Sequence, residues 1–260
     1  MTSQMQSPEV RVTRMFFRVV NESATDDFAG AQPLSGRLGD WDFTLDNGAL
    51  VAMPKEEFRS REAAKVDLEP LLREWAQAAF LTPNAFRIRF EYDRSDVEVL
   101  DPEPGAVFVF PESAVATVSV GTPTVVIGHR TFPSPDSTFR RTPLTDLLTE
   151  RVRAFRDGRA ELPAVAYVVL SALQTAFGSR AKCATALAVD RRVLDHLGRL
   201  SAQYDPEIGR KVEGEPKALT GQELAWLHAA IVRLVRRVGE HASGRPLSQI
   251  RLHDLPHLDR

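Results

Sequence analysis

Cysteine is nearly absent from this chain. Cys183 is the only one, so no internal disulfide can form and no Cys-rich zinc site can be built. Long apolar runs are absent as well. No stretch approaches the 18 or more apolar residues that a membrane span needs, and the opening, MTSQMQSPEVRVTR, lacks the charged and then apolar layout of a signal peptide. These absences predict a cytoplasmic protein with no membrane partner. Also missing are the phosphate loop GxxxxGK[ST], the dinucleotide fingerprint GxGxxG, the hydrolase elbow GxSxG, the zinc motif HExxH and the EF-hand loop. The commonest nucleotide and hydrolase chemistries lose support, a non-enzymatic reading is favoured, and no cofactor or metal is expected.

What is present is an ordinary globular composition. With 260 residues, 43% hydrophobic and 26% charged, the chain can bury one large core or two smaller ones. The net charge of −2 conceals an asymmetry. Residues 1–136 hold 13 Lys+Arg against 21 Asp+Glu, whereas residues 137–260 hold 20 against 14, so a polyanion should prefer the second half.

The first half reads mainly as strands. VRVTRMFFRVV (10–20) is β-branched and aromatic, and in WDFTLDNGALVAMP (41–54) two apolar runs flank Asn47-Gly48, a strong hairpin signal. FRIRFEY (86–92) alternates Phe86, Ile88, Phe90 and Tyr92 with Arg87, Arg89 and Glu91, the period of a half-buried strand. DVEVL, AVFVF, AVATVSV and TVVIGHR continue in that vocabulary. Between them, SREAAKVDLEPLLREWAQAAFL carries helical spacing through Leu71, Leu72, Trp75 and Phe80. Pro70 predicts that this helix starts late, capped by Asp67, with Ser60 to Val66 as a separate short turn.

TFPSPDS (131–137) reads as a linker, and helices follow it. PLTDLLTERVRAFRDG lays Leu144, Leu147, Leu148, Val152 and Phe155 on one face and stops at Gly158. LPAVAYVVLSALQTAFG is apolar nearly all round, as the buried centre of a bundle should be. Thr220 with Glu223 matches a capping box before a last long helix through Leu224, Leu227, Ile231, Leu234, Val235 and Val238.

The stretch most informative about activity is Gly178 to Leu200, GSRAKCATALAVDRRVLDHLGRL. Ser179 can cap a short helix, Ala181 to Leu187, in which the small Ala184 would admit a close helix crossing. Asp190 can cap a second helix by accepting from the amides of Arg192 or Val193. Val189 would plug the angle, with Leu194, Leu197 and Leu200 facing inward and Arg191, Arg192, His196 and Arg199 outward. Cys183 reads as a small buried hydrophobe. The run LSALQTAFGSRAKCATALAVDRRVLDHLGRL resembles the DNA-binding end of Fis-type proteins over about residues 170–200. In that family a longer helix is joined by a Gly-polar turn to a short alanine-containing helix and then to a recognition helix. The resemblance implies a helix-turn-helix with Arg191, Arg192, His196 and Arg199 as the DNA contacts. This chain departs from the family pattern at Ala188, where glycine is usual, at Asp190, where serine is usual, and at Asp195 with Leu197, which interrupt the basic face. A carboxylate facing phosphates opposes binding.

Other constellations read as structural. His253 and His257 have i,i+4 spacing, but Pro256 between them spoils the helix that would make it useful to a metal. His129, His228 and His241 stand alone in sequence. Asp26-Asp27 and Glu56-Glu57 read as solvated charge, Arg87 and Arg89 as partners of Glu91, and DFAGAQPLSGRLGDW (27–41) as a long loop whose glycines could expose amides to an anion.

The expected fold is α+β. An acidic, antiparallel β-rich domain with one helix spans 1–133, and a basic, all-helical domain with a helix-turn-helix-like segment spans 134–260. Three functions stay open. One is a DNA-binding or regulatory protein whose β-rich half senses a ligand or partner. The second is an interaction or scaffold protein whose helix pair is structural and packs against a protein partner. The third is an enzyme with a site assembled between the halves.

Overall fold

The computed structural model describes residues 10–22, 26–28, 30–82, 86–100, 127–128, 131–202 and 218–258. The chain divides into two compact units. Met1–Phe80 with Asn84–Pro135 form the first, and Leu81–Pro83 with Asp136–Arg260 the second. The fold is α+β, with strands in the first unit and helices in the second.

In chain order the first unit contains β1 (Val10–Asn21), β2 (Asp26–Asp27), β3 (Leu34–Leu38), β4 (Trp41–Asp46), β5 (Ala49–Pro54), α1 (Arg61–Phe80), β6 (Ile88–Val99) and β7 (Ile127–Gly128). Five of the strands form one antiparallel sheet in the order β3-β4-β5-β1-β6, and β2 pairs with β7 in parallel. The hairpin between β4 and β5 turns at Asn47 and Gly48, with φ of 47° and 75°, the two positive values that a tight two-residue turn demands. In β1 the inward residues are Val12, Met15, Phe17 and Val19. The spacing of three between Val12 and Met15 comes from a bulge, because Val12 pairs with Val97 and Arg14 with Asp96, leaving Thr13 as the extra residue. That insertion moves the following side chains onto the core face.

The core of this unit is aromatic. Trp41 and Phe43 of β4, Phe17 of β1 and Trp75 of α1 are all at most 3% exposed, and Trp75 lies tilted against Phe43 and Phe90, with ring centroids 5.1 and 5.0 Å away. Both buried indoles are satisfied: Trp41 Nε1 donates to Asp67 at 2.7 Å and Trp75 Nε1 to the Pro133 carbonyl at 2.8 Å. Asp67 is therefore an indole acceptor and not a helix cap. The helix runs unbroken from Arg61, with Ser60 accepting from Ala63 N at 3.1 Å. Pro70 is tolerated inside it because Pro70 and Val66, whose carbonyl loses its partner, are exposed to water, while Ala64, Leu68, Leu72 and Trp75 anchor the buried face on either side. The 27–41 segment is not a loop throughout, since β3 lies within it. Gly36 packs under Phe43, and Arg37 pairs with Asp42 at 3.3 Å. DVEVL is the continuation of β6 and not a separate strand. AVFVF, AVATVSV and most of TVVIGHR lie outside the described residues.

The second unit contains α2 (Pro143–Arg156), α3 (Leu162–Phe177), α4 (Arg180–Ala186), α5 (Arg191–Ala202) and α6 (Gly221–Ala242), then a short 3-10 turn at Leu252–Asp254. The starts follow local chemistry. Thr142 caps α2, with Pro143 in its first turn, and Thr220 and Glu223 close a reciprocal capping box on α6. α3 touches α2, α4, α5 and α6, which explains why it is apolar nearly all round. Leu148 and Val152 face this core from α2, whereas Leu147 is 45% exposed. Phe139 lies against Gly239 of α6, where a Cβ would collide with the ring, and Arg140 N donates to the Gly239 carbonyl at 2.9 Å. Arg237, 4% exposed, holds the tail by donating to the Ser248 carbonyl at 2.6 Å. TFPSPDS is tied down on both sides of the boundary: Phe132 is buried in the first core, and Asp136 binds Thr138 and Arg236.

Candidate nucleic-acid interface

α3 ends at Gly178, φ 92°, and α4 departs at 79° from its direction. The Ser179 hydroxyl accepts from Lys182 N at 3.4 Å, starting α4 where its sequence predicts. On the inner side of α4 Cys183 is fully buried and its thiol donates to the Leu173 carbonyl at 3.3 Å. Burial pushes the thiol pKa above its ordinary value, so it is a packing group and not a nucleophile.

The turn between α4 and α5 is built from Leu187, Ala188 and Val189. Ala188 has φ 48°, the left-handed conformation that glycine adopts without a Cβ penalty. Val189 is 3% exposed, and its N–H donates to the Ala184 carbonyl at 2.9 Å. The C-terminal segment then clamps the turn. Ile250 N donates to the Ala188 carbonyl and Asp190 N to the Ile250 carbonyl, both at 2.8 Å, so backbone groups that a tight turn would leave unpaired are satisfied.

α5 has two opposed faces. Val193, Leu194, Leu197 and Leu200 are fully buried. Asp190 caps the helix, its Oδ1 accepting from Arg192 N at 2.9 Å. Arg191, Arg192 and Arg199 are exposed on the other side. His196 differs from them: it is half-buried, with its ring edge to face with Trp226 of α6 at 5.9 Å. Its Nδ1 lies 3.3 Å from an Arg199 nitrogen, and since a guanidinium can only donate, the ring proton belongs on Nε2. Burial first, and then the Arg199 charge, hold the His196 pKa below 6.5, with Asp195 opposing. His196 is therefore a neutral support behind Arg199.

Asp195 is engaged by two cations, Arg180 of α4 at 3.2 Å and Arg191 at 3.5 Å. The Arg180 guanidinium lies over Gly198, where a Cβ would collide with it. From Gly178 to Ala202 there are five Lys+Arg against two Asp, and Lys182 joins the exposed set.

The chain matches no family model, no curated protein and no solved structure. Geometry and charge alone therefore carry the reading of this segment. Sequence reasoning did not single out Arg180, Lys182, Gly198 or Ile250. Arg180 and Gly198 are 18 residues apart and Ile250 is 61 residues beyond Val189, so no local pattern links them.

The remaining candidates have structural roles. Glu91 accepts from Arg18 at 2.5 Å and pairs with Arg89 at 2.6 Å. That hydrogen bond outweighs desolvation and, with the two positive charges, lowers the Glu91 pKa. Asp254 accepts from Arg251 N at 2.8 Å, and His253 Nε2 lies 3.7 Å from Asp254. Among the described residues no three His, Cys, Asp or Glu side chains gather as metal ligands, and no single helix is long and apolar enough to cross a membrane.

Proposed function

We propose that the second unit binds duplex DNA, with α4 and α5 acting as a helix-turn-helix and the first turn of α5 presented to the major groove. The observation that carries this reading is the set of three exposed arginines, Arg191, Arg192 and Arg199, on one face of a capped helix whose opposite face is fully buried. Such a helix is fixed in orientation, so its cations can meet phosphates and base edges without ordering a loop. Asp195 is compatible with the role because Arg180 and Arg191 hold its carboxylate, which lessens the repulsion a phosphate would meet. His196 supports Arg199 and adds no charge at neutral pH.

The test is fluorescence anisotropy of the full chain on a mixed-sequence duplex across a salt series. Binding through three phosphate-neutralising arginines should weaken with a logarithmic slope of roughly −3, and an Arg191→Ala/Arg192→Ala variant should lose about two units of that slope. Both substitutions are at exposed sites, so the variant should fold. Absence of binding even at low salt would make α4 and α5 a structural helix pair and direct attention to a protein partner.

A further inference from the structure

The second unit contains a cavity of about 530 Å³ on the side of α6 that carries His228, Val232, Arg233 and Arg236. We propose that this cavity binds a small organic anion, a carboxylate or phosphate head on an apolar body. The proposal does not depend on the DNA reading, since none of Arg191, Arg192, His196 and Arg199 lines the cavity.

Three observations converge on it. The volume is in the range of sites for small molecules, roughly 300–1,000 Å³, and Ala229, Val232 and Leu255 give it apolar wall. Four arginines, Arg156, Arg233, Arg236 and Arg237, line it against two carboxylates, Glu240 and Asp254. Glu240 is already shared, 3.0 Å from Arg236 and 2.9 Å from Arg237, Arg236 is also held by Asp136, and Asp254 accepts from the Arg251 amide. Arg233 is exposed, and its charge reaches Asp254, whose pKa it helps to lower, so it is placed to meet an incoming anion at the rim. The third observation is the neutral imidazole of His228 in the wall. His228 lines the cavity while its Nε2 is buried without a hydrogen-bond partner, a cost in stability that belongs to the fold. Burial, and then the Arg156 charge, push the His228 pKa below 6.5, so the ring is a neutral part of the wall, with its Nε2 closed off from the open space. An apolar wall with an exposed guanidinium, Arg233, at its rim is the pair of recognition elements an amphiphilic acid needs.

The probe is 1-anilinonaphthalene-8-sulfonate, an apolar body with an anionic head, titrated into the full chain and followed by fluorescence, beside its uncharged relative N-phenyl-1-naphthylamine. Saturable one-to-one binding of the sulfonate is expected. Arg233→Glu should weaken it at least tenfold while changing the uncharged probe less than twofold, and Ala229→Trp, which fills the cavity, should abolish both. Arg233 is exposed, so its variant stays informative if Ala229→Trp unfolds. The Arg191→Ala/Arg192→Ala protein should bind the sulfonate as the parent does, which separates a failure here from a failure of the DNA reading. No saturable binding, or binding unchanged by Arg233→Glu, overturns the proposal.

Discussion

The two units differ in net charge and in how they pack. In the first, acidic unit, 13 Lys+Arg stand against 20 Asp+Glu, and its described arginines are largely paired across or along strands: Arg11 with Glu98, Arg18 with Glu91, Arg37 with Asp42, Arg94 with Asp93. Sheet geometry makes this easy, because cross-strand neighbours on the outer face lie directly opposite one another. In the second unit 20 Lys+Arg stand against 15 Asp+Glu, and beside the paired Arg191, Arg236 and Arg237 the exposed Arg192, Arg199 and Arg233 stand on α5 and α6. The comparison teaches where a ligand is to be sought. Charge already paired within the fold is structural, and charge that the fold leaves in excess on a fixed element is available for an anion.

Packing differs in the same direction. The sheet buries its aromatic side chains by alternation, whereas the helical unit depends on a few close approaches. The largest expected effect tests this. Gly239→Ala drives a methyl into the Phe139 ring and should destabilise the second unit by about 1–3 kcal/mol. Gly36→Ala on edge strand β3, where the added Cβ comes only within 3.2 Å of Phe43, should cost less than about 1 kcal/mol because an edge strand can shift. Chemical denaturation of both variants measures the contrast, and equal losses would break it.

A smaller effect of opposite sign is expected at the α4–α5 turn. Ala188→Gly relieves the Cβ strain at φ 48° and should stabilise the second unit by about 0.5–1 kcal/mol, the strain outweighing the added freedom of the unfolded chain. A destabilised variant would show that the Ala188 methyl contributes more by packing than it costs by strain.

The smallest effect is a pH dependence confined to one unit. Burial lowers His196 and His228, both in the second unit, below their ordinary 6.5. In the window just below that value the unfolded chain binds more protons than the folded one, so this contribution is complete above about pH 6.5 and declines as pH falls. The first unit has no histidine among its described residues, and its lowered carboxylate, Glu91, responds only below its ordinary 4.5. Thermal unfolding at pH 7 and pH 5.5 should therefore soften the second unit alone, and His228→Gln should reduce the change. Equal softening of both units would remove the distinction.

Much of this was legible in the chain. The hairpin at Asn47-Gly48, the Thr220 to Glu223 capping box, the Ser179 and Asp190 caps and the inward leucines of α5 each depend on residues within a turn or two of each other, where periodicity and capping chemistry act. Proline misled the reading of α1. Pro70 is a helix breaker locally, but anchoring of Leu68, Leu72 and Trp75 in the core outweighs one hydrogen bond lost on the solvent side. The bulge in β1 was hidden for a related reason, because the strand's register is set by its partner β6.

For the candidate sites the division is sharper. The arginines of α5 and the Arg191–Asp195 pair follow from helical spacing, but the second partner of Asp195 does not, because Arg180 reaches it from α4. The cavity beside α6 had no sequence signature at all, since His228 and Arg233 acquire a shared wall with Arg156 and Leu255 only when distant segments pack. Sequence by itself determined the hairpin, most of the helices with the Ser179, Asp190 and Thr220 caps, and the charge of each half, since these follow from short-range spacing and composition. Tertiary structure alone decided which charges are cancelled, which polar atom is left without a partner and where space remains, because all three depend on groups brought together by the burial of apolar surface.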